Sequence, residues 1–162
     1  MKRLLAAIIA VALTGPLQLA NAQDAVPTAV MPEVRADLMM GHQPAVQLGV
    51  GVQIPFGYYV RLGIDGAAGV RLDDVTPRAD ARIDVLTRFL LDPFRQSRYG
   101  LSVGGGVGLR AEPHDRVRPL LLVAMDLEGR RRASGWAPAL QVGLGGGARI
   151  GIVLRRGTAS AR

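Results

Sequence analysis

Apolar residues recur at every second position through most of the chain, from about Val30 to Leu154, and the positions in phase with them are free of charge. The even-numbered residues from Val46 to Ile54 are all apolar, whereas the odd-numbered residues between them are Gln or Gly. A period of two is the repeat of a pleated strand, whose successive side chains point to opposite faces. The pattern therefore predicts a sheet with one face that never meets water.

Turn-forming residues divide this pattern into segments and so define the predicted strands. The segments lie near 32–40, 44–54, 58–72, 79–91, 98–111, 116–128, 135–144 and 148–155. An even number of short antiparallel strands, with one apolar and one polar face, is typical of a small transmembrane β-barrel. The predicted fold is all-β: an eight-stranded antiparallel up-and-down transmembrane β-barrel, with six strands as the alternative count.

Two tight turns allow the phase of the pattern to be checked. A three-residue loop at Pro55-Phe56-Gly57 would place Ile54 opposite Tyr58 and keep the apolar set on even numbers, as the sequence does. The triplet 145–147, all glycine, predicts a second such loop. One uninterrupted bent strand over 136–155 would preserve the same phase.

The start of the chain has the features of an export signal. A basic start is followed by an apolar stretch, the Gly15-Pro16 break and an A-x-A cleavage pattern ending at Ala22. The apolar stretch is shorter than the roughly 20 residues that a helical membrane span needs. We expect a signal peptide over 1–22, a lead-in over 23–30, the barrel over 31–156 and a tail over 157–162. The chain contains no Cys, so the barrel has no disulfide or thiolate metal site to support it.

Alternation alone does not distinguish a membrane barrel, apolar outside, from a soluble lipocalin-like barrel with an apolar ligand inside. The polar face is rich in glycine, which would leave room in a narrow lumen for long arginine side chains. It also carries nine acidic and nine basic residues: Glu33, Asp37, Asp65, Asp73, Asp80, Asp84, Glu112, Asp126 and Glu128, against Arg35, Arg61, Arg71, Arg82, Arg88, Arg110, Arg118, Arg149 and Arg155. A matched set of this kind predicts a lumen filled by salt bridges, although a solvated surface could show the same count.

All seven aromatic residues lie around alternate turns, which an up-and-down barrel would gather at one rim. Tyr58, Phe89, Tyr99 and Trp136 are in phase with the apolar face. Aromatic side chains in these positions are expected to form a girdle at a membrane interface. Aromatics closing one end of a soluble barrel are the alternative.

Residues 30–156 resemble the small outer-membrane β-barrel superfamily, the OmpA-like or OmpX-like proteins of the Gram-negative envelope. The segment Arg149 to Arg156 resembles their C-terminal assembly signal, except that Arg156 stands at the last position, where the family has an apolar or aromatic residue. The resemblance implies an outer-membrane protein that contacts outer-membrane lipids and uses the barrel-assembly machinery during biogenesis. It also implies a monomer.

The sequence offers little catalytic chemistry. His42 and His114 are the only histidines, and His114, beside Glu112 and Asp115, is a weak candidate for a lipid hydrolase or a metal site. The expected function is therefore non-enzymatic, structural or surface-interacting, with no cofactor and no metal. The net charge of +7 includes Lys2 and Arg3, and the export signal argues against nucleic acid as a partner.

A basic collar is predicted at the aromatic rim, where the triplet 130–132 is all Arg and Arg95, Arg98, Arg155 and Arg156 lie nearby. Such a collar could meet anionic lipid head groups. Ordinary solvated turn charge is the alternative.

Overall fold

The structure, a computed structural model, consists of eight β-strands joined by short connections. It describes residues 29–41, 44–72, 77–94, 96–112, 116–130, 132 and 134–157. The strands are β1 (Met31–Met40), β2 (Ala45–Phe56), β3 (Val60–Arg71), β4 (Arg78–Leu90), β5 (Gly100–Glu112), β6 (Arg116–Glu128), β7 (Trp136–Leu144) and β8 (Ala148–Arg156). In these ranges, no helix is long and apolar enough to cross a membrane.

Every strand pairs antiparallel with its neighbours in sequence, and β1 pairs with β8 to close the barrel. The predicted eight-stranded fold is confirmed. Leu144 faces Ala148 across a turn in which Gly146 and Gly147 have positive φ angles of 68° and 143°. The alternative of one bent strand over 136–155 is therefore wrong, as is the count of six.

The register of the ladder fixes the tilt of the strands. The shear is the offset that accumulates when paired residues are followed once round the barrel. The path leaves β6 at Glu128, passes through one residue of each other strand and returns to β6 at Arg118, ten residues away. A shear of ten on eight strands corresponds to a tilt of about 40°, given a rise of about 3.4 Å per residue and about 4.8 Å between strands. A barrel of this size encloses only enough space for its own side chains.

The two faces of the barrel differ sharply in chemistry. On the outside, Val50 is 66% exposed, Leu121 81% and Ile152 64%. On the inside, Arg35 is 3% exposed and Asp84 1%. The apolar face is therefore outward and the charged face inward, which is the opposite of the lipocalin-like arrangement considered from the sequence.

The β2–β3 turn lies two residues further along the chain than expected. Phe56 pairs with Val60, and Gly57, Tyr58 and Tyr59 form the three-residue turn, so Tyr58 does not lie opposite Ile54 in a strand. Gly57 has a φ of 77°, a left-handed conformation that favours glycine, where the chain leaves β2. A shift of two residues preserves phase, which is why the sequence pattern did not distinguish the two positions.

Glycine on the inner face allows β4 and β5 to approach closely. A Cβ at Gly106 would overlap the carbonyl oxygen of Val85 and lie 2.8 Å from the Cα of Leu86. The neighbouring Gly105 points outward, and a Cβ there would meet only the carbonyl oxygen of Leu122, at 3.5 Å. The two glycines therefore face different steric limits on one strand.

Replacing Gly106 with Ala is expected to lower the free energy of unfolding by about 1–3 kcal/mol, because backbone atoms of β4 must move to admit the methyl group. The matched Gly105→Ala change is expected to be neutral or stabilising by up to about 1 kcal/mol, because it restricts the unfolded chain. Urea unfolding of both variants refolded in lipid vesicles measures the difference. Equal effects of the two changes would contradict the tight β4–β5 approach.

Candidate functional site

The lumen holds a balanced set of buried charges. Among the described residues, seven carboxylates, seven arginines and three glutamines are buried: Glu33, Asp37, Asp65, Asp80, Asp84, Asp126 and Glu128, then Arg35, Arg71, Arg82, Arg88, Arg110, Arg149 and Arg155, then Gln47, Gln53 and Gln141. Strand alternation produces this set, since each of these residues lies in the inward phase of its strand. The lumen is the candidate site because it concentrates the buried charged side chains of the described residues.

Arg35 on β1 lies at the centre of the network. Its Nε donates to the carboxylate of Asp37 at 2.7 Å, and its Nη1 lies 2.7 Å from Asp65 and 3.5 Å from Glu33. Its Nη2 donates to Asp37 at 3.1 Å and to the side-chain oxygen of Gln141 on β7. One guanidinium thus joins β1, β3 and β7 across the lumen.

A second group of charges continues the network between β4 and β8. Arg82 donates to Asp84 at 2.9 Å and also contacts Asp37. Arg149 donates to the same Asp84 at 2.7 Å and to Gln141 at 3.1 Å. Because each carboxylate is shared by two arginines, the charges form a continuous lattice rather than separate pairs.

Arg155 fills the end of the lumen nearest the aromatic rim. Its guanidinium lies 3.0 Å from Glu33, 2.8 Å from Asp126 and 3.5 Å from Glu128. Arg88 lies 2.8 Å from Asp126 without hydrogen-bond alignment, so this contact is mainly coulombic. Arg155 is 1% exposed, and three carboxylates compensate for its desolvation.

Asp80 organises a separate cluster near the opposite end. Arg110 donates two hydrogen bonds to its carboxylate, from Nε at 2.9 Å and from Nη2 at 2.7 Å, and Arg71 donates a third at 2.8 Å. Gln47 adds a further hydrogen bond at 2.7 Å. The two-pronged contact uses the planar fork of arginine, which lysine does not offer.

Three glutamines complete the network and were not among the residues singled out from the sequence. Gln53 donates to Glu33 at 2.9 Å, and Gln141 donates to Asp126 at 2.6 Å while its oxygen accepts from Arg35 and Arg149. An amide both donates and accepts, so it can bridge an arginine and a carboxylate. Their inward phase was visible in the sequence, but a count of charges passes over neutral side chains.

Two of the predicted lumen residues lie at its margins. Arg118 is in the inward phase, but it lies near the start of β6 and its side chain is exposed. The expectation that it lies inside the lumen is therefore wrong. Arg61 is half-buried and its Nη1 lies 3.2 Å from Glu128. Asp73, His42 and His114 lie outside the described residues, as does the side chain of Glu112.

One part of the inner wall is apolar. Leu86 and Leu122 are buried together with Ala124, and Leu120 packs against them. This small cluster lies on β4 and β6, either side of the glycine-rich inner face of β5. It supports packing of the wall on the same two strands that carry Asp80, Asp84 and Asp126 of the charge network.

The aromatic rim is formed by the end of the barrel that carries the β2–β3, β4–β5 and β6–β7 connections. Tyr58 and Tyr59 of the first turn pack on Phe94 of the next connection, with ring centroids 5.9 Å and 6.2 Å apart. Tyr58 was expected on a strand, but it lies in the β2–β3 turn, and its ring packs on Phe94 of the β4–β5 connection. Aromatic pairs at these distances stabilise beyond their buried area.

The other predicted aromatics lie at the strand ends of the same rim. Phe89 near the end of β4 is 52% exposed, and Tyr99 just before β5 is 50% exposed. Trp136, the first residue of β7, is half-buried and pairs in register with Arg156. The guanidinium carbon of Arg98 lies 5.8 Å from the Tyr99 ring centroid, a cation–π contact.

Arg155 and Arg156 provide a matched test of the lumen network, because they are adjacent on β8 and point to opposite faces. We expect Arg155→Met to lower the free energy of unfolding by about 3–5 kcal/mol, since it leaves buried carboxylates with less compensation. Arg156→Met is expected to change it by less than about 1 kcal/mol. Urea unfolding of both variants gives the comparison, and similar losses would rule out a stabilising role specific to the lumen.

The comparisons with known proteins concern the fold. No protein-family profile and no curated protein matches the chain in sequence. Among solved structures, the chain is similar to a protein from work on the de novo design of transmembrane β-barrels, with 12% identity, a TM-score of 0.61, and coverage of 84% of this chain and 100% of that one. A second designed protein, solved by NMR in solution, has 11% identity and a TM-score of 0.49, with coverage of 85% and 99%. The first likeness supports the closed eight-stranded antiparallel barrel.

Proposed function

We propose that this chain is a non-enzymatic outer-membrane β-barrel whose lumen is closed by its salt-bridge network, with a structural or surface-interaction role. The observation that carries the proposal is the inversion of the usual polarity of a folded protein. Charges occupy the interior, and large apolar side chains cover the outer wall. In water this outer wall would be an exposed apolar patch of unusual extent.

The dimensions of the wall support a membrane setting. Strand β1 has ten residues and β8 has nine, within the range that a tilted transmembrane strand requires. At a tilt of about 40° and a rise of about 3.4 Å per residue, ten residues cover about 25 Å, the height of the apolar band on barrels of this class. Closure of the ladder also leaves no sheet edge running the full length of the wall, as a lipid setting demands.

The lumen supports a closed rather than a conducting barrel. Arg35, Arg82 and Arg155 reach across it to partners on non-adjacent strands. Gln141, fully buried, fills the space between them. No continuous water-filled path is expected through an interior occupied by paired side chains.

An outer-membrane location is favoured by the export signal and by the resemblance of the C-terminal strand to an assembly signal. In this proposal the barrel-assembly machinery inserts a monomer, and lipids surround it. The lipocalin-like alternative loses its support, since the interior that it needs for an apolar ligand contains charges. His114, the weak candidate for a lipid-modifying role, lies outside the described residues.

A depth series on β2 tests the membrane assignment. Val50 and Phe56 lie in the same outward phase, one near the middle of the wall and one at its aromatic rim. We expect Val50→Arg to cost about 2–4 kcal/mol of folding free energy in a bilayer and Phe56→Arg about 0–1 kcal/mol, because the cost of a lipid-facing charge falls toward the interface.

The measurement is urea unfolding from lipid vesicles, with heat-dependent gel mobility of the membrane fraction as the assay for folded barrel. Val50→Leu is the control for a change of side chain without charge. Equal costs at the two depths, or recovery of the wild type in the soluble periplasmic fraction, would overturn the membrane assignment.

Planar bilayers test the closed lumen. We expect the wild type to insert without stable large-conductance channels, because paired charges occupy the interior. Arg35→Ala removes the residue that joins three strands and is expected to allow brief, small conductance events. Stable large channels from the wild type would replace the closed barrel with a pore.

A further inference from the structure

Exposed arginines gather at the aromatic rim. Arg98 lies in the β4–β5 connection, Arg130 and Arg132 lie in the β6–β7 connection, and Arg156 ends β8. All four side chains are exposed. In an up-and-down barrel these connections share one end, so the four cations form a partial collar around it.

Backbone contacts hold this collar in place. The N–H of Arg132 donates to the carbonyl of Trp136 at 2.8 Å, and the N–H of Gly157 donates to the carbonyl of Gly135 at 3.1 Å. Arg156 pairs in register with Trp136, and both point outward. Arg98 therefore lies over the ring of Tyr99, and Arg156 lies beside Trp136.

Carboxylates do not neutralise the collar. In the part of the chain that the structure describes, Arg98, Arg130, Arg132 and Arg156 take no part in an ion pair with a carboxylate. Asp92 in the β4–β5 connection instead accepts hydrogen bonds from the backbone N–H groups of Gln96 and Ser97, at 2.9 Å and 2.7 Å. At the opposite rim, Arg78 and Arg118 are also exposed, and each has an interaction within the protein.

We propose that this arginine collar binds the phosphate groups of anionic phospholipids, and so selects the lipids that surround the aromatic end of the barrel. The proposal rests on the membrane setting argued above. The planar guanidinium of arginine matches the oxygens of a phosphate. Aromatic rings lie at the depth of the lipid head groups, so the neighbouring arginines lie at the depth of the phosphates. Each basic side chain near an anionic surface contributes an affinity factor of about five.

Trp136 is the only tryptophan of the chain and lies within the collar, so it reports which lipids are its neighbours. The protein is refolded into phosphatidylcholine vesicles that contain the same small fraction of either brominated phosphatidylglycerol or brominated phosphatidylcholine. Bromine on the acyl chains quenches tryptophan fluorescence only at short range. We expect several-fold stronger quenching by the brominated phosphatidylglycerol, and a smaller difference at high salt.

The test variant replaces Arg98, Arg130, Arg132 and Arg156 with Gln, and is expected to abolish the preference. The control variant replaces Arg78 and Arg118 with Gln at the opposite rim and is expected to keep it. Heat-dependent gel mobility checks that each variant is folded.

The outcomes separate the two proposals. Equal quenching by both brominated lipids in the wild type would overturn the collar while leaving the membrane setting intact. An absence of quenching by either lipid would overturn the membrane setting itself. Loss of the preference in the control variant would assign it to net charge rather than to the collar.

Discussion

Charge pairing inside a closed ring of strands is the constraint on which this structure depends. Taking an ion out of water costs several kcal/mol even after relaxation, so a buried arginine is tolerated only with well-placed carboxylates. The described interior holds seven of each charge and three glutamines, of which Gln141 bridges a carboxylate and two arginines. Removing an arginine leaves the carboxylates that it shares with less compensation, so the members of each cluster depend on one another. The outer wall contributes little to the specificity of the fold, because in the proposed lipid setting one apolar side chain can replace another.

The size of the ring sets how that network is built. A shear of ten on eight strands gives a lumen narrow enough for a side chain on one wall to reach the other, as Arg82 on β4 does toward Asp37 on β1. The same narrowness requires glycine where neighbouring strands crowd on the inner face, as at Gly106 beside Val85. Arginine suits this space better than lysine, because its flat fork binds two oxygens at once and is less strongly hydrated. Lys2 is the only lysine in the chain, and it lies in the predicted signal peptide.

The sequence was sufficient for the face that each strand turns inward, because this follows from a period of two. Turn residues predicted eight strands, but a count of six and one bent strand over 136–155 fitted the same phase. The sequence was insufficient for positions that preserve phase, and so Tyr58 was expected on a strand although it lies in the turn. Contacts across the lumen, such as Arg155 with Asp126, depend on the shear, which no single strand encodes. The aromatic cluster around Phe94 was missed for a similar reason, since it joins two connections that are distant in sequence. Arg118 had the right phase, but phase does not say where a strand leaves the barrel.

Arg155 and Arg156 show how one backbone gives the same side chain two roles. Alternation turns Arg155 into the lumen, where three carboxylates hold it, and turns Arg156 outward beside Trp136. A shift of one residue in the register of β8 would only exchange these two arginines, but it would also turn Arg149 out of the lumen and turn Ile152 into the charged interior. Both costs oppose the same slip, so the rest of β8, rather than the arginine pair, fixes the register of the strand that closes the barrel against β1. In the proposed membrane setting, Arg156 is a cation at the interface, where a long side chain can reach water.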